Sequence, residues 1–146
     1  MVPSAGPVAG GTTVVLTGTN LSGATAVNFG AAPAISFTVN SATQITAVAP
    51  AGTGTVQVTV TTAGGTSNGV SYTYVAVPTL TVLVPNLGPV TGGTTVVLTG
   101  TNLTGATAVN FGATPAISFT VNSATQITAV APAGTGTVQV TVTTAG

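Results

Sequence analysis

The chain contains two nearly identical copies of one sequence, and this repetition limits the possible folds of the chain more than any other feature. Residues 6–64 recur at 88–146 with an offset of 82 residues, and three positions differ: Ala9/Thr91, Ser22/Thr104 and Ala32/Thr114. Two nearly identical segments of this length must adopt nearly the same structure, so the sequence predicts one small fold repeated in tandem. We expect the two domains to span residues 1–77 and 78–146.

The two copies differ at their ends. The first copy continues past Gly64 into GTSNGVSYTYV, residues 65–75, whereas the second ends at Gly146 without a counterpart. The second copy is preceded by PTLTVLVP, residues 78–85, where the first has only MVP. We therefore expect the first domain to lack its first strand and the second domain to lack its last strand.

Short runs of alternating apolar and polar residues fill each copy, and this period of two is typical of strands with one buried face. In TVQVTVT (55–61) the valines share one face, and in AISFTV (34–39) Ile35, Phe37 and Val39 do. Clusters such as PAGTG separate the runs as turns, and no 3.6-residue pattern occurs. The sequence predicts an all-β chain of two tandem antiparallel β-sandwiches.

The chain has no Lys, Arg, Asp, Glu, His, Cys or Trp among its 146 residues. General acid–base catalysis needs a side chain that titrates near ambient pH. The titratable side chains are Tyr72 and Tyr74, and the ordinary pKa of tyrosine is about 10. A serine or threonine nucleophile would have no base to activate it. We predict that the protein is not an enzyme and has no catalytic residue.

The same composition bears on cofactors, metals and partners. Transition metals take Cys, His or carboxylate ligands, and nucleic acid is bound mainly through Lys and Arg. No run approaches the roughly 18 uninterrupted apolar residues of a membrane-spanning helix. We therefore expect no cofactor, no metal site, no nucleic-acid binding and no membrane insertion.

Several elements of each copy resemble the IPT/TIG domain. The matching elements, each repeated 82 residues later, are Gly10-Gly11 before a long strand, the turn at 18–21, the strand end at 27–30, and the segment 50–60. This family is an immunoglobulin-like sandwich found in cell-surface receptors, some transcription factors, and bacterial secreted and surface proteins. The Thr-, Gly- and Ala-rich character is most similar to the bacterial surface type. The resemblance implies an extracellular or cell-surface location, although the opening MVPSAGPVAG has no signal-peptide pattern.

Two sequons for N-glycosylation lie at corresponding places, Asn20-Leu21-Ser22 and Asn102-Leu103-Thr104. Such a motif marks an acceptor asparagine in secreted proteins. An asparagine in this position also makes a turn by bonding its own backbone. We favour the turn and keep Asn20 and Asn102 as candidate glycosylation sites.

Tyr72 and Tyr74 share one face of the run VSYTYV, residues 70–75. They are candidates for stacking against a ligand such as a glycan, or for strand pairing and core packing, which we favour. Rows of outward threonines allow an ice-binding interpretation, but threonine is also favourable on any solvated strand face. These rows include Thr59, Thr61, Thr141 and Thr143.

The absence of charge also bears on association. Surface charges keep soluble proteins apart, and lysines on sheet edges oppose strand addition. We therefore predict a structural module of an extracellular or cell-surface protein that self-associates into a homopolymeric filament by strand complementation. The alternatives are a carbohydrate- or ice-binding adhesin module, a spacer cut from a longer array, and an engineered uncharged repeat protein.

Overall fold

A computed structural model describes all 146 residues, and their contacts divide the chain into two compact units, Met1–Ala76 and Val77–Gly146. Each unit is built from strands and turns, in agreement with the predicted all-β class. The chain forms no helix of the length and apolar character needed to cross a membrane.

Unit 1 (Met1–Ala76) is an immunoglobulin-like sandwich of nine strands. The strands are β1 (Ala5–Pro7), β2 (Thr13–Thr17), β3 (Ala26–Phe29), β4 (Ala32–Pro33), β5 (Ser36–Ser41), β6 (Gln44–Val48), β7 (Gly54–Thr62), β8 (Gly65–Thr66) and β9 (Val70–Val75). One sheet has the order β1-β9-β7-β3-β4, with β8 also paired to β7, and the other has the order β2-β6-β5. All pairs are antiparallel except β1 with β9, which are parallel. The predicted antiparallel sandwich therefore also contains one parallel pair.

Unit 2 (Val77–Gly146) has seven strands. They are β10 (Thr79–Val84), β11 (Thr95–Thr101), β12 (Ala108–Phe111), β13 (Thr114–Pro115), β14 (Ser118–Ser123), β15 (Gln126–Val130) and β16 (Val140–Thr143). They form the sheets β10-β11-β15-β14 and β13-β12-β16. Strands β11 to β16 are the counterparts of β2 to β7, and β1, β8 and β9 have no counterpart strand.

As predicted, unit 1 lacks the first strand that unit 2 has, and unit 2 lacks the last strand that unit 1 has. In unit 2, β10 pairs with β11 along most of its length. In unit 1 only Val2 occupies the corresponding edge, where it exchanges two backbone hydrogen bonds of 2.8 and 3.0 Å with Val15. Conversely, β9 lies between β1 and β7 in unit 1, and no strand of unit 2 lies in that place.

The core of each unit follows the alternation of its strands. In β7, Val58 and Val60 are buried, whereas Gln57, which precedes Val58, is exposed, as the pattern predicts. The prediction that Ile35 faces the core is wrong, because its side chain is 65% exposed. Ile35 lies at a bend before β5, so the alternation of that strand begins only at Ser36, and Phe37 and Val39 pack against the core.

Candidate functional site

Strand β9 carries both tyrosines of the chain into the core of unit 1. Tyr72 and Tyr74 are 0% and 6% exposed, because alternate residues of a strand point to one face. Tyr72 packs edge-to-face against Phe29 at a centroid distance of 5.2 Å and against Tyr74 at 5.1 Å. Burial leaves neither ring an open face on which a glycan could stack, and both tyrosines lie in a paired strand.

The two tyrosine hydroxyls are unusual because each is buried without a hydrogen-bond partner. Desolvation, and then the neighbouring Tyr72, raises the pKa of Tyr74 above its ordinary value. Such a group stays neutral at ambient pH, so it offers no acid–base chemistry there. The chain also contains no cluster of His, Cys, Asp or Glu that could hold a metal ion.

Two glycines make room for the tyrosine side chains. A Cβ atom at Gly52 would lie 2.5 Å from Cε2 of Tyr74, and one at Gly6 would collide with the hydroxyl of Tyr72. Unit 2 keeps both glycines, as Gly134 and Gly88. Around Gly134 a Cβ atom would meet nothing within 4 Å. The space that a tyrosine ring fills in unit 1 is therefore open in unit 2.

Unit 2 has an open groove of about 790 Å³ in the place that β9 occupies in unit 1. One wall of the groove consists of residues 86–89, which are the counterparts of the β1 region. The other wall consists of residues 136–140, which are the counterparts of the first half of β7. Phe111, the counterpart of Phe29, also lines it. We call this space the strand groove.

One wall of the strand groove keeps a backbone hydrogen bond that it has in unit 1, although residues 136–139 lie outside β16 while their counterparts belong to β7. The N–H of Gly112 donates to the carbonyl of Gln139 at 2.7 Å, as that of Gly30 donates to Gln57 at 2.8 Å. These hydrogen bonds lie on the β12 and β3 side, away from β9, so they form without it. Gln139 is therefore held against Gly112 although no strand lies on its other side.

Apolar side chains at the strand groove are left uncovered. Leu87 and Val138 are 83% and 46% exposed, and their counterparts in unit 1, Ala5 and Val56, are partly buried. Phe111 is partly buried, whereas Phe29 is 2% exposed. The missing strand accounts for this difference, since the surrounding sequence is nearly identical. The groove thus presents apolar surface that unit 1 buries.

The two sequon asparagines lie in tight turns. Asn20 and Asn102 each have a φ of 56°, a left-handed conformation that asparagine tolerates better than most residues. Both side chains are exposed, and Asn102 Nδ2 donates to the carbonyl of Val77 at 3.2 Å. This conformation explains the asparagine in physical terms, and glycosylation at these two residues stays a prediction.

The threonine rows differ between the units. Thr141 and Thr143 are exposed, whereas Thr59 and Thr61 are partly buried. The hydroxyl of Thr61 shares a hydrogen bond of 3.2 Å with that of Thr66 on β8. Ice binding by these rows stays a prediction. No feature of the fold adds support to it.

The sandwich architecture and the glycine-punctuated strands are those of a known family. The model of the IPT/TIG domain matches residues 1–74 and 78–146. The chain therefore belongs to the IPT/TIG family, with one domain in each unit.

Solved structures of similar fold include an extracellular region and a bacterial protein. The full extracellular region of plexin A4 is 28% identical, with a TM-score of 0.51, over 98% of this chain and 16% of that chain. SGBP-B from a complex xyloglucan utilization locus in Bacteroides uniformis is 23% identical, with a TM-score of 0.44, over 94% of this chain and 43% of that chain. The chain thus spans less than half the length of either protein. No curated protein sequence matches it.

The strand groove is the feature that the sequence alone did not reveal in full. The missing last strand of the second copy was predicted, but not which residues line the space that it leaves. A signal was present, because Gly88 and Gly134 are kept in a copy that has no tyrosine to cover them.

Proposed function

We propose that the chain is a non-catalytic structural module of an extracellular or cell-surface protein, and that it associates with copies of itself through open strand edges. Membership of the IPT/TIG family and the likeness to the plexin A4 extracellular region support the location. The absence of any side chain that titrates near ambient pH supports a role without catalysis.

The proposed self-association rests on one observation: each unit has an open strand edge, and no charged residue lies on it. In unit 1, β2 is paired with β6 on one side, and only the Val2 bridge meets its other side. In unit 2, β16 is paired with β12 on one side and has no strand on the other. Natural sheets commonly place charged residues on such edges to oppose strand addition, and this chain has none.

The two edges are different surfaces, which decides the form of the assembly. Pairing the β2 edge of one copy with the β16 edge of the next joins two unlike patches. Contacts of this head-to-tail kind generate an open chain of subunits unless a rotation closes it. Strands β9 and β10 stay in their own units, so no copy has to open its fold in order to associate. A filament is the expected product.

Sedimentation velocity and electron microscopy of the purified chain at micromolar concentration test this proposal. We expect concentration-dependent growth to large species and regular filaments in the micrographs. A single monomeric species over the whole accessible concentration range would overturn the proposed association.

A charge placed on the edge makes the test specific. Thr17 is an exposed residue of β2, and Ser22 is an exposed loop residue outside any strand. Thr17→Lys should weaken association, because it puts a charge on the pairing edge. Ser22→Lys adds the same charge elsewhere and should leave association nearly unchanged. Equal effects of the two substitutions would show that net charge, and not the β2 edge, controls assembly.

A further inference from the structure

We propose that Asn68 is a modification site, at which the side-chain amide cyclises onto the backbone nitrogen of Gly69 and is converted to a carboxylic acid. The site lies in the link between β8 and β9 of unit 1. It involves neither of the open strand edges, so the inference is independent of the proposed function. The change would give this uncharged protein a charged side chain.

Asn68-Gly69 is the only Asn-Gly pair in the chain. The other seven asparagines are followed by Leu, Phe or Ser. Ring closure requires the backbone nitrogen of the next residue to approach Cγ of the asparagine, and a Cβ atom on that next residue hinders the approach. Glycine has no Cβ atom and permits close approach of its backbone. The sequence therefore offers one place where ring closure meets the least steric resistance.

The link holds the reactive pair between two anchored residues. The hydroxyl of Ser67 accepts a hydrogen bond of 2.9 Å from the N–H of Val60, and Val70 begins strand β9. Asn68 and Gly69 lie between these anchors, and both are exposed. Water therefore reaches the atoms that would react, while the strands on either side stay in place.

The two reacting groups are free of strong competing hydrogen bonds. Asn68 Nδ2 makes one contact, to the carbonyl of Gly69 at 3.5 Å, which is long for a hydrogen bond. This contact turns the side-chain amide toward the peptide unit of Gly69, in the direction that ring closure needs. The N–H of Gly69 donates to no acceptor in the protein. Neither group has to give up a strong partner before it reacts.

Packing against β7 keeps glycine at residue 69. A Cβ atom there would lie 2.8 Å from Cβ of Gln57 and 2.7 Å from its Oε1. Gln57 Nε2 donates to Ser71 Oγ at 3.0 Å, so the glutamine could move aside only by losing this bond. The fold therefore disfavours any larger residue after Asn68, and it keeps the reactive pair together.

The asparagines of β5 and β14 show the opposite arrangement. Asn40 Nδ2 donates to Gln44 Oε1 at 3.2 Å and to Thr46 Oγ1 at 2.7 Å. Asn122 makes the two corresponding contacts at the same distances. Each of these amides must give up two hydrogen bonds before it can cyclise, and a serine with its Cβ atom follows each. They serve as internal controls for the reaction at Asn68.

The reaction balances with water as its only co-reactant. The backbone nitrogen of Gly69 loses its proton to hydroxide and attacks Cγ of Asn68, so that an N–Cγ bond forms and the Cγ–Nδ2 bond breaks. Nδ2 takes a proton from water and leaves as ammonia, which regenerates hydroxide, and a succinimide ring remains. Water then adds to one ring carbonyl and cleaves its bond to the nitrogen, which regains a proton. Opening at Cγ gives aspartate, and opening at the backbone carbonyl gives isoaspartate.

Either product carries a carboxylate at residue 68. The ordinary pKa of an aspartate is about 3.9, so the new group is ionised at neutral pH. The unmodified chain has no charged side chain and a formal net charge of 0, and the modification makes it anionic. A net charge away from zero opposes the association of like molecules. The modified and unmodified proteins should therefore differ in solubility and be separable by anion exchange.

Incubation of the purified full chain at mildly alkaline pH, followed by peptide mapping, tests the proposal. The protease must cleave at apolar residues, because the chain has no Lys or Arg. We expect a mass increase of about 1 Da in the peptide that contains Asn68, because an NH₂ group is replaced by OH. The rate should rise in proportion to the hydroxide concentration, since the Gly69 nitrogen must lose its proton. A mass increase located at Asn40 and Asn122 instead would overturn the assignment.

Two synthetic peptides, of residues 64–72 and 36–46, show what the fold contributes. Asn68 should react as fast in the folded chain as in its peptide, because its amide and the N–H of Gly69 are free in both. Asn40 should react more slowly in the folded chain than in its peptide, because the fold supplies its two hydrogen bonds. If Asn68 is as strongly protected as Asn40, the fold blocks ring closure and the proposal fails.

A pair of matched variants locates the reaction. Asn68→Gln keeps an amide at the site but lengthens the side chain by one methylene, so closure would need a larger and less easily formed ring. This variant should lose the mass increase. Asn40→Gln makes the same replacement outside the reactive pair and should retain the mass increase at Asn68. An undiminished mass increase in Asn68→Gln would show that another residue is modified.

Discussion

The ring of Tyr74 occupies the space in which a side chain at residue 52 would lie, since a Cβ atom at Gly52 would be 2.5 Å from Cε2 of that ring. The corresponding glycine of unit 2, Gly134, has no such neighbour. The two residues lie in the same local sequence, PAGTG, at positions 50–54 and 132–136. A comparison of Gly52 with Gly134 therefore shows how far the ring of Tyr74 alone requires glycine at residue 52.

Substitution of these glycines by alanine should have opposite consequences. Gly52→Ala overpacks the core against Tyr74 and should lower the free energy of unfolding of unit 1 by about 1–3 kcal/mol. Gly134→Ala meets open space, so its effect on unit 2 should stay within about 0.5 kcal/mol. Urea unfolding followed by tyrosine fluorescence reports on unit 1, which holds both tyrosines, and far-UV circular dichroism follows both units. Equal losses in the two variants would contradict the placement of the ring.

The partnerless hydroxyl of Tyr72 gives a second prediction. A buried polar group without a partner costs about 1–3 kcal/mol, so Tyr72→Phe should leave unit 1 as stable as before or more stable. Tyr72→Ala removes the ring itself and should cost about 3–5 kcal/mol. Urea unfolding followed by the fluorescence of Tyr74 measures both variants. A loss of more than about 1 kcal/mol in Tyr72→Phe would mean that the hydroxyl has a partner.

The raised pKa of Tyr74 predicts a dependence of stability on alkaline pH. The folded state holds the phenol proton more tightly than the unfolded state, in which the pKa is about 10. Stability should therefore be constant below the unfolded pKa and fall as the pH rises from there toward the folded pKa. The urea midpoint of unit 1, measured across this range, checks the prediction. In Tyr74→Phe the fall should be smaller.

The same reasoning predicts a flat profile at lower pH. No side chain of the protein titrates between about pH 5 and pH 9, so, apart from the amino terminus, the numbers of protons bound by the folded and unfolded states do not change there. If the urea midpoint changed substantially over this pH interval, the protein would have a bound ion that the sequence does not predict.

Much of the fold could be predicted because the repeat and the two-residue alternation of apolar and polar residues can be read directly from the sequence. Val58 and Val60 face the core as their alternation requires, and the missing β9 in unit 2 follows from comparing the two copies. Ile35 was misplaced because a bend interrupts the alternation before β5, and alternation carries no information about bends. The parallel pairing of β1 with β9 joins segments far apart in the chain, so no local pattern marks it. The strand groove likewise depends on which distant residues meet.

The strand groove also predicts that unit 2 is the less stable of the two units, although their shared sequence is nearly identical. Phe29 is 2% exposed, whereas Phe111 is partly buried because no strand covers it. Phe29→Ala should therefore cost about 3–5 kcal/mol in unit 1, and Phe111→Ala should cost clearly less in unit 2, since less apolar surface is lost from the core.

Urea unfolding with two probes measures this asymmetry. In the unsubstituted protein, far-UV circular dichroism should show a first transition that tyrosine fluorescence does not register, because unit 2 contains no tyrosine. Phe111→Ala should move only that first transition, and Phe29→Ala only the second. Coincident transitions in the two signals would show that the units unfold together and that the open groove does not weaken unit 2 on its own.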